Sequence, residues 1–250
     1  ERVKESGQEL KNAAAYIELH IEQGPVLLDL DLPLGAVLGT FGVERHAITF
    51  HGQAAHSGRT PMNRRKDAFL AAAKMSPEIY QIAERSGGGP KSEVQSPKSP
   101  DRAHDAALDF GPGTSDSISG VCTIGSCTTK PGIVTSVVEE CRITLDQRHL
   151  DAAKLATMLS EAKAASEKFA QEGSVKVSWE RLWQIAPRPF NDELIALCDE
   201  AIRETCGKSH RLPSGPLHDA AEVACAGVPT VMMFVQSLHG ISHNKLEDTK

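Results

Sequence analysis

The chain has 250 residues, 40% of them apolar and 24% charged, and a formal net charge of −6. That balance suits a globular protein with a sizeable core and gives no electrostatic footprint for nucleic acid or anionic lipid. No apolar run approaches the roughly 20 residues that a membrane-spanning helix needs.

The first residues, ERVKESGQEL, mix charges and lack the apolar stretch of a signal peptide. The chain starts without Met in what reads as a helix and stops at EDTK without a turn signal, so both ends read as cut from a longer protein. Residues 17–22, IELHIE, alternate: Ile17, Leu19 and Ile21 point one way, Glu18, His20 and Glu22 the other, which is the strand period. Gln23-Gly24-Pro25 breaks that strand and opens a short helix over PVLLDL. Strands follow at 36–43 and 45–51. After GQAAHSGRTPMN a helix runs from about residue 65 to residue 85, kinked or split by Pro77. Residues 86–119, rich in Gly, Ser, Pro and Asp, read as a loop or disordered insertion.

Strands come next at 120–128 and 139–148, then a helix that ends before Gly173 and the alternating strand VKVSWERL. Asn191 caps the helix DELIALCDEAIRETC, with acids in its first turn and Gly207 past its end. LPSGPLHDA reads as a loop entering a short helix, and PTVMMFV as a strand buried on both faces. This order predicts a split α/β core built from residues 1–42 and 184–250. Between its segments, 43–183 form a two-layer α+β sandwich of ferredoxin type. The six cysteines are scattered without a CxxC pair and read as reduced thiols, which makes the cytoplasm the expected compartment.

Five places could carry chemistry. His20 shares its strand face with two carboxylates, a grouping that suits a divalent cation; the plainer reading is a solvated strand histidine. His243 follows the apolar strand in the loop HGISHN, where functional loops of α/β sheets lie, or else it caps a turn. His56 sits in a turn-rich loop and could donate to a developing oxyanion. His218 and Asp219 stand at a helix N-terminus. Arg148 could grip a substrate carboxylate in bidentate fashion, or pair with Asp146.

Taken together, ELHIEQGPVL, GQAAHSGRTPMNRRKDA, TKPGIVTS with ITLDQRH, LPSGPLHDA and GISHNKLEDT resemble, in order and spacing, the carbamoylase-type amidases of the di-metal exopeptidase superfamily. That family includes N-carbamoyl-L-amino-acid hydrolase, β-ureidopropionase and allantoate amidohydrolase. The resemblance implies part of a di-zinc exopeptidase-like catalytic domain with an inserted ferredoxin-like dimerisation (lid) domain. It implies metal-dependent hydrolysis of the carbamoyl C–N bond of a small ureido or N-carbamoyl amino acid by a homodimer. Two divalent ions are expected, zinc or else manganese, cobalt or nickel.

By the same resemblance, His20 and His243 are metal ligands and Gln23 lines the substrate site. His56 reaches across a dimer interface to stabilise the tetrahedral intermediate, and Arg148 binds the substrate carboxylate, with Arg45 as a second anion contact. Ser214, Gly215 and His218 form a substrate-side loop. Two departures bear on substrate: Thr135 stands where the family has Asn, and Pro216-Leu217 replace a small pair. By the resemblance, the family's remaining ligands, a His in an HxD motif, a bridging Asp and a Glu-Glu pair, lie upstream of the first of these five motifs. The expectation is therefore a fragment that does not hydrolyse by itself. The competing expectations are a di-metal aminopeptidase or dipeptidase, and a non-catalytic dimerising homologue.

Overall fold

Apolar periodicity and capping sort the residues described by the structure, a computed structural model covering 10–87 and 118–249, into sixteen strands and α-helices, beside three short 3-10 turns. In chain order the strands and α-helices are β1 (Tyr16–Ile21), α1 (Val26–Asp29), β2 (Leu34–Thr40), β3 (Gly42–His51), β4 (Ala55–His56), α2 (Ala68–Ser86), β5 (Val121–Lys130) and β6 (Ser136–Val137). They continue with β7 (Glu140–His149), α3 (Ala152–Glu172), β8 (Lys176–Ile185), β9 (Arg188–Pro189), α4 (Asp192–Cys206), β10 (Arg211–Ser214), α5 (Asp219–Cys225) and β11 (Thr230–Val235). The stretch read as an insertion at 86–119 lies outside the described residues except for its first and last two. The chain divides into two units, one taking the residues through Thr40 and from Pro189 onward, the other Phe41–Gly87 and Ser119–Arg188.

The second unit follows the order β3-α2-β5-β7-α3-β8. Its sheet runs β5-β7-β3-β8 with every neighbour antiparallel. In β7 every second side chain is buried: Cys141, Ile143, Leu145, Gln147 and His149. That face packs under the apolar stripes of the two helices, Ala68, Ala71, Ala72, Met75, Ile79 and Ile82 on α2 and Leu155, Met158, Ala162 and Phe169 on α3. Asp67 and Asp151 cap these helices, each accepting from two backbone amides. The Asp67 cap explains why α2 begins at Ala68 rather than near residue 65. Nor does Pro77 split the helix; the buried stripe continues on both sides of it. One buried polar pair lies here: His46 Nε2 is 2.8 Å from Glu44 Oε2, with the Trp179 ring edge-on at 5.4 Å.

In the first unit the sheet order is β1-β11-β2-β10. β1 and β11 run parallel, with His20 opposite Phe234, while β11 and β2 are antiparallel. Ile195, Cys198 and Ile202 of α4 complete the core over Val37, Val231 and Met232. Asn191 caps α4 through the Leu194 amide, and Gly207 ends it at φ 79°, a left-handed conformation that glycine adopts without strain. Leu212–Ser214, expected to be part of a loop, belong to strand β10, paired parallel to β2. Pro213 makes the segment read as a turn, but β10 lies at the end of the sheet, where a residue without an N–H is tolerated. β1 keeps its alternation, with the polar face as the covered one: Ile17 and Leu19 are exposed, Glu18 and His20 half-buried and Glu22 buried.

Candidate functional site

In the first unit, candidate residues gather where β1 and β11 end. His20 Nδ1 lies 2.7 Å from the Ile21 carbonyl oxygen. A carbonyl only accepts, so the imidazole proton sits on Nδ1 and the Nε2 lone pair is free to bind a cation. The ring of His218 packs edge-on against His20 at 4.4 Å. Ser214 donates its hydroxyl to the Pro216 carbonyl at 3.0 Å, so it accepts from His218 Nε2–H at 2.8 Å. Burial, reinforced by His20, pushes the His218 pKa down to about 4, and the ring is neutral at neutral pH. Ser214 is fully buried and spent on holding its own loop, whereas a side chain at Gly215 would meet nothing within 4 Å.

The carboxylates beside His20 are committed elsewhere, which corrects their reading as additional cation ligands. Glu22 accepts from the Val26 and Leu27 amides at 2.7 and 2.9 Å and so caps α1. Burial raises the Glu22 pKa, and those two amides offset it only in part. Glu18 Oε2 accepts from the Ala220 amide at 2.7 Å, holding the first turn of α5, and Glu18 Oε1 lies 3.7 Å from His218 Nδ1.

The loop after β1 is tied to the loop after β11. Gln23 donates its backbone N–H to Ser237 Oγ and its side-chain Nε2 to Ser242 Oγ, both at 3.0 Å. Ser242 escaped sequence reasoning; its signal was its place immediately before His243 in GISHN. His243 is exposed, and its N–H donates to Glu247 Oε2 at 2.6 Å. Gln23, His239 and His243 all have φ between 55° and 62°, a conformation costly for residues with a Cβ and concentrated at ligand-binding loops. His20 fits the role of a single metal ligand by its tautomer. Among the described residues, however, no group of three or more His, Cys, Asp or Glu side chains is assembled to hold a metal ion.

In the second unit the structure brings His56 and Thr135 onto one ribbon. β4 pairs with β6, placing His56 opposite Ser136, and the Ser57 amide donates to the Thr135 carbonyl at 2.9 Å. The Gly58 amide donates to His56 Nδ1 at 3.1 Å, so the His56 proton resides on Nε2, opposite to His20. The alternation of β7 sends Asp146 and Arg148 to the sheet face away from the helices. There Arg148 grips Asp146 with Nε at 2.7 Å and Nη2 at 3.2 Å, and Arg45 Nε reaches the same carboxylate at 2.5 Å. Arg45 also lies over the Trp183 ring, 4.9 Å from its centroid. Burial works to raise the Asp146 carboxyl, but the two guanidinium groups outweigh it and hold the carboxyl below the ordinary range. The Arg148–Asp146 pair is therefore present, and it gathers Arg45 to the same point.

The family model for peptidase family M20/M25/M40 matches residues 3–250, and the chain belongs to that family. Members of the family generally use divalent metal ions. The chain is 29% identical over 255 residues to N-carbamoyl-L-amino acid amidohydrolase from Geobacillus stearothermophilus, across 99% of this chain and 53% of that protein. It is also 29% identical over 235 residues to allantoate amidohydrolase from Escherichia coli (strain K12), across 94% and 50%. Among solved structures, an amidase of the hydantoinase/carbamoylase family from Burkholderia multivorans matches with a TM-score of 0.75 and 29% identity, over 94% of this chain and 49% of that one. The resemblance to carbamoylase-type amidases read from the five motifs thus holds, and the chain spans about half the length of the curated relatives it matches. No helix among the described residues is long and apolar enough to cross a membrane.

Proposed function

We propose that this protein is a metal-dependent amidohydrolase. It cleaves the carbamoyl C–N bond of an N-carbamoyl or related ureido amino acid and, with one water, releases the amino acid, ammonia and carbon dioxide. The observation that carries this reading is the setting of two histidines by backbone groups in opposite tautomers. The Ile21 carbonyl leaves His20 a bare Nε2 for a cation, and the Gly58 amide leaves His56 an Nε2–H to donate. The names of the relatives supply the bond that is cleaved.

Divalent ions, when bound, supply Lewis acidity and a water that ionises near neutral pH. His20 and His243 are the ligands this chain contributes. Gln23, braced by Ser242, and the neutral His218 border the substrate, with Ser214 and Gly215 shaping the loop that carries His218. Arg148 and Arg45 bind the substrate carboxylate, and Thr135 offers a hydroxyl near it where the family has an amide. His56 donates to the oxyanion in the site of a second copy of the chain, so the second unit serves as lid and dimerisation domain and the working form is a homodimer. The six free cysteines suit a cytoplasmic enzyme.

The test is ammonia release from N-carbamoyl amino acids by the whole protein, with its metal content measured alongside. Turnover is expected, abolished by a chelator, and His20→Ala should lose both bound metal and activity. The 250-residue chain with added zinc or manganese should show none. Hydrolysis of dipeptides in place of ureido acids, or a fully active His20→Ala variant, would overturn the reading.

A further inference from the structure

The segment from 52 to 68 leaves β3 and enters α2 as a closed loop. The Gly52 amide donates to the Glu139 carbonyl at 2.6 Å and the Gln53 amide to the Lys66 carbonyl at 2.9 Å. A Cβ on Gly52 would stand 2.1 Å from the Lys66 oxygen, so only glycine lets the two ends of the loop approach this closely. Inside the loop the chain turns back on His56. The Arg59 and Thr60 amides donate to the His56 carbonyl at 3.2 and 3.0 Å, and the Gly58 amide donates to its ring. Arg65, half-buried, spans this turn from outside, with Nη2 donating to the Ser57 carbonyl at 2.5 Å and Nε to the Thr60 carbonyl at 3.1 Å. A guanidinium presents its donors in a rigid planar fork, so two carbonyls held by one fork are fixed relative to each other. A lysine ammonium on a flexible stem cannot do this.

We propose that Arg65 is a positioning residue: by gripping the Ser57 and Thr60 carbonyls it keeps the Gly58 N–H on His56 Nδ1, and so keeps the His56 proton on Nε2. By residue type Arg65 is not set apart from its neighbours, since Arg64, Arg65 and Lys66 are three consecutive cations. The consequence for turnover, though not the positioning itself, rests on the reading of His56 as an oxyanion donor.

The experiment is nitrogen NMR of the 250-residue chain with labelled histidine, at a pH where imidazole is neutral. His56 is assigned by the signals lost in His56→Gln. The wild-type ring should show a bare Nδ1 and a protonated Nε2. Arg65→Met should shift both nitrogens toward the average of two interconverting tautomers, and Arg65→Lys, which retains one donor, should fall between. Amide signals outside 52–68 report whether each variant is folded, and Arg65→Lys decides the matter where Arg65→Met does not fold. An unchanged His56 tautomer in a folded Arg65→Lys variant, or in a folded Arg65→Met variant, overturns the proposal. In the whole protein Arg65→Met should lower kcat by roughly 10–100-fold with KM little changed. Wild-type turnover in His56→Gln would instead sink the oxyanion reading and leave the NMR result standing.

Discussion

In β7, Cys141, Ile143 and Leu145 lie under α2 and α3 with at most 3% of their surface exposed, while Asp146 and Arg148 occupy the open face. In β1, a strand with the same two-residue alternation, Ile17 and Leu19 are 59% and 61% exposed, and it is Glu18 and His20 that face the first turn of α5. Alternation therefore defines two faces without saying which is covered; the element laid over the strand decides that. A covered polar face is stable only if its polar atoms are satisfied. Glu18 meets the Ala220 amide, His20 the Ile21 carbonyl and Glu22 the Val26 and Leu27 amides. β7 is held by packing, and the covered side of β1 by hydrogen bonds.

Substitution at matching apolar positions tests this most sharply. Leu145→Ala should cost about 2–5 kcal/mol in urea unfolding, the loss of a fully buried leucine. Leu19→Ala should change stability by no more than about 0.5 kcal/mol. Equal losses at the two positions would break the contrast. On the polar side of β1, Glu22→Ala strands two amides and should cost roughly 1–2 kcal/mol by the same measurement; no change would mean that the cap is dispensable.

The smallest effect belongs to the polar face of β7. Asp146 is held below the unfolded aspartate value of about 3.9, so its contribution is present above that pH and disappears as pH falls through the lower folded value. The melting temperature of Asp146→Asn should therefore lie below wild type at neutral pH, and the gap should close as the pH drops below about 3.9. A gap that stays constant across that range would show that the carboxylate charge contributes nothing.

The elements with long periodicity were legible from the amino-acid order: the helices of both units, the Asn191 cap with Gly207 behind α4, and the buried strand β11. The sandwich order was legible for the same reason. β4 and β6 were not, because two residues each carry no period, and with them went the pairing that brings His56 beside Thr135. β10 was hidden by Pro213. Among the candidate residues, residue type and motif singled out His20, His56, His218 and Arg148, but tautomers depend on backbone groups whose direction a sequence does not display. Gln23 was identifiable, whereas its brace on Ser242, 219 positions away, was not. The double grip on Asp146 arises from the register that sets Arg45 opposite it on the neighbouring strand, which only pairing reveals.

The position of β11 has a consequence for how the chain is made. It is the last of the described strands in chain order, yet it lies between β1 and β2, and the Gln23–Ser237 bond closes a span of 214 residues. Every strand of the second unit precedes β11 in chain order, whereas β1 and β2 precede them all. The second unit can therefore fold before β11 is made, whereas the first unit cannot complete its sheet until β11 has followed.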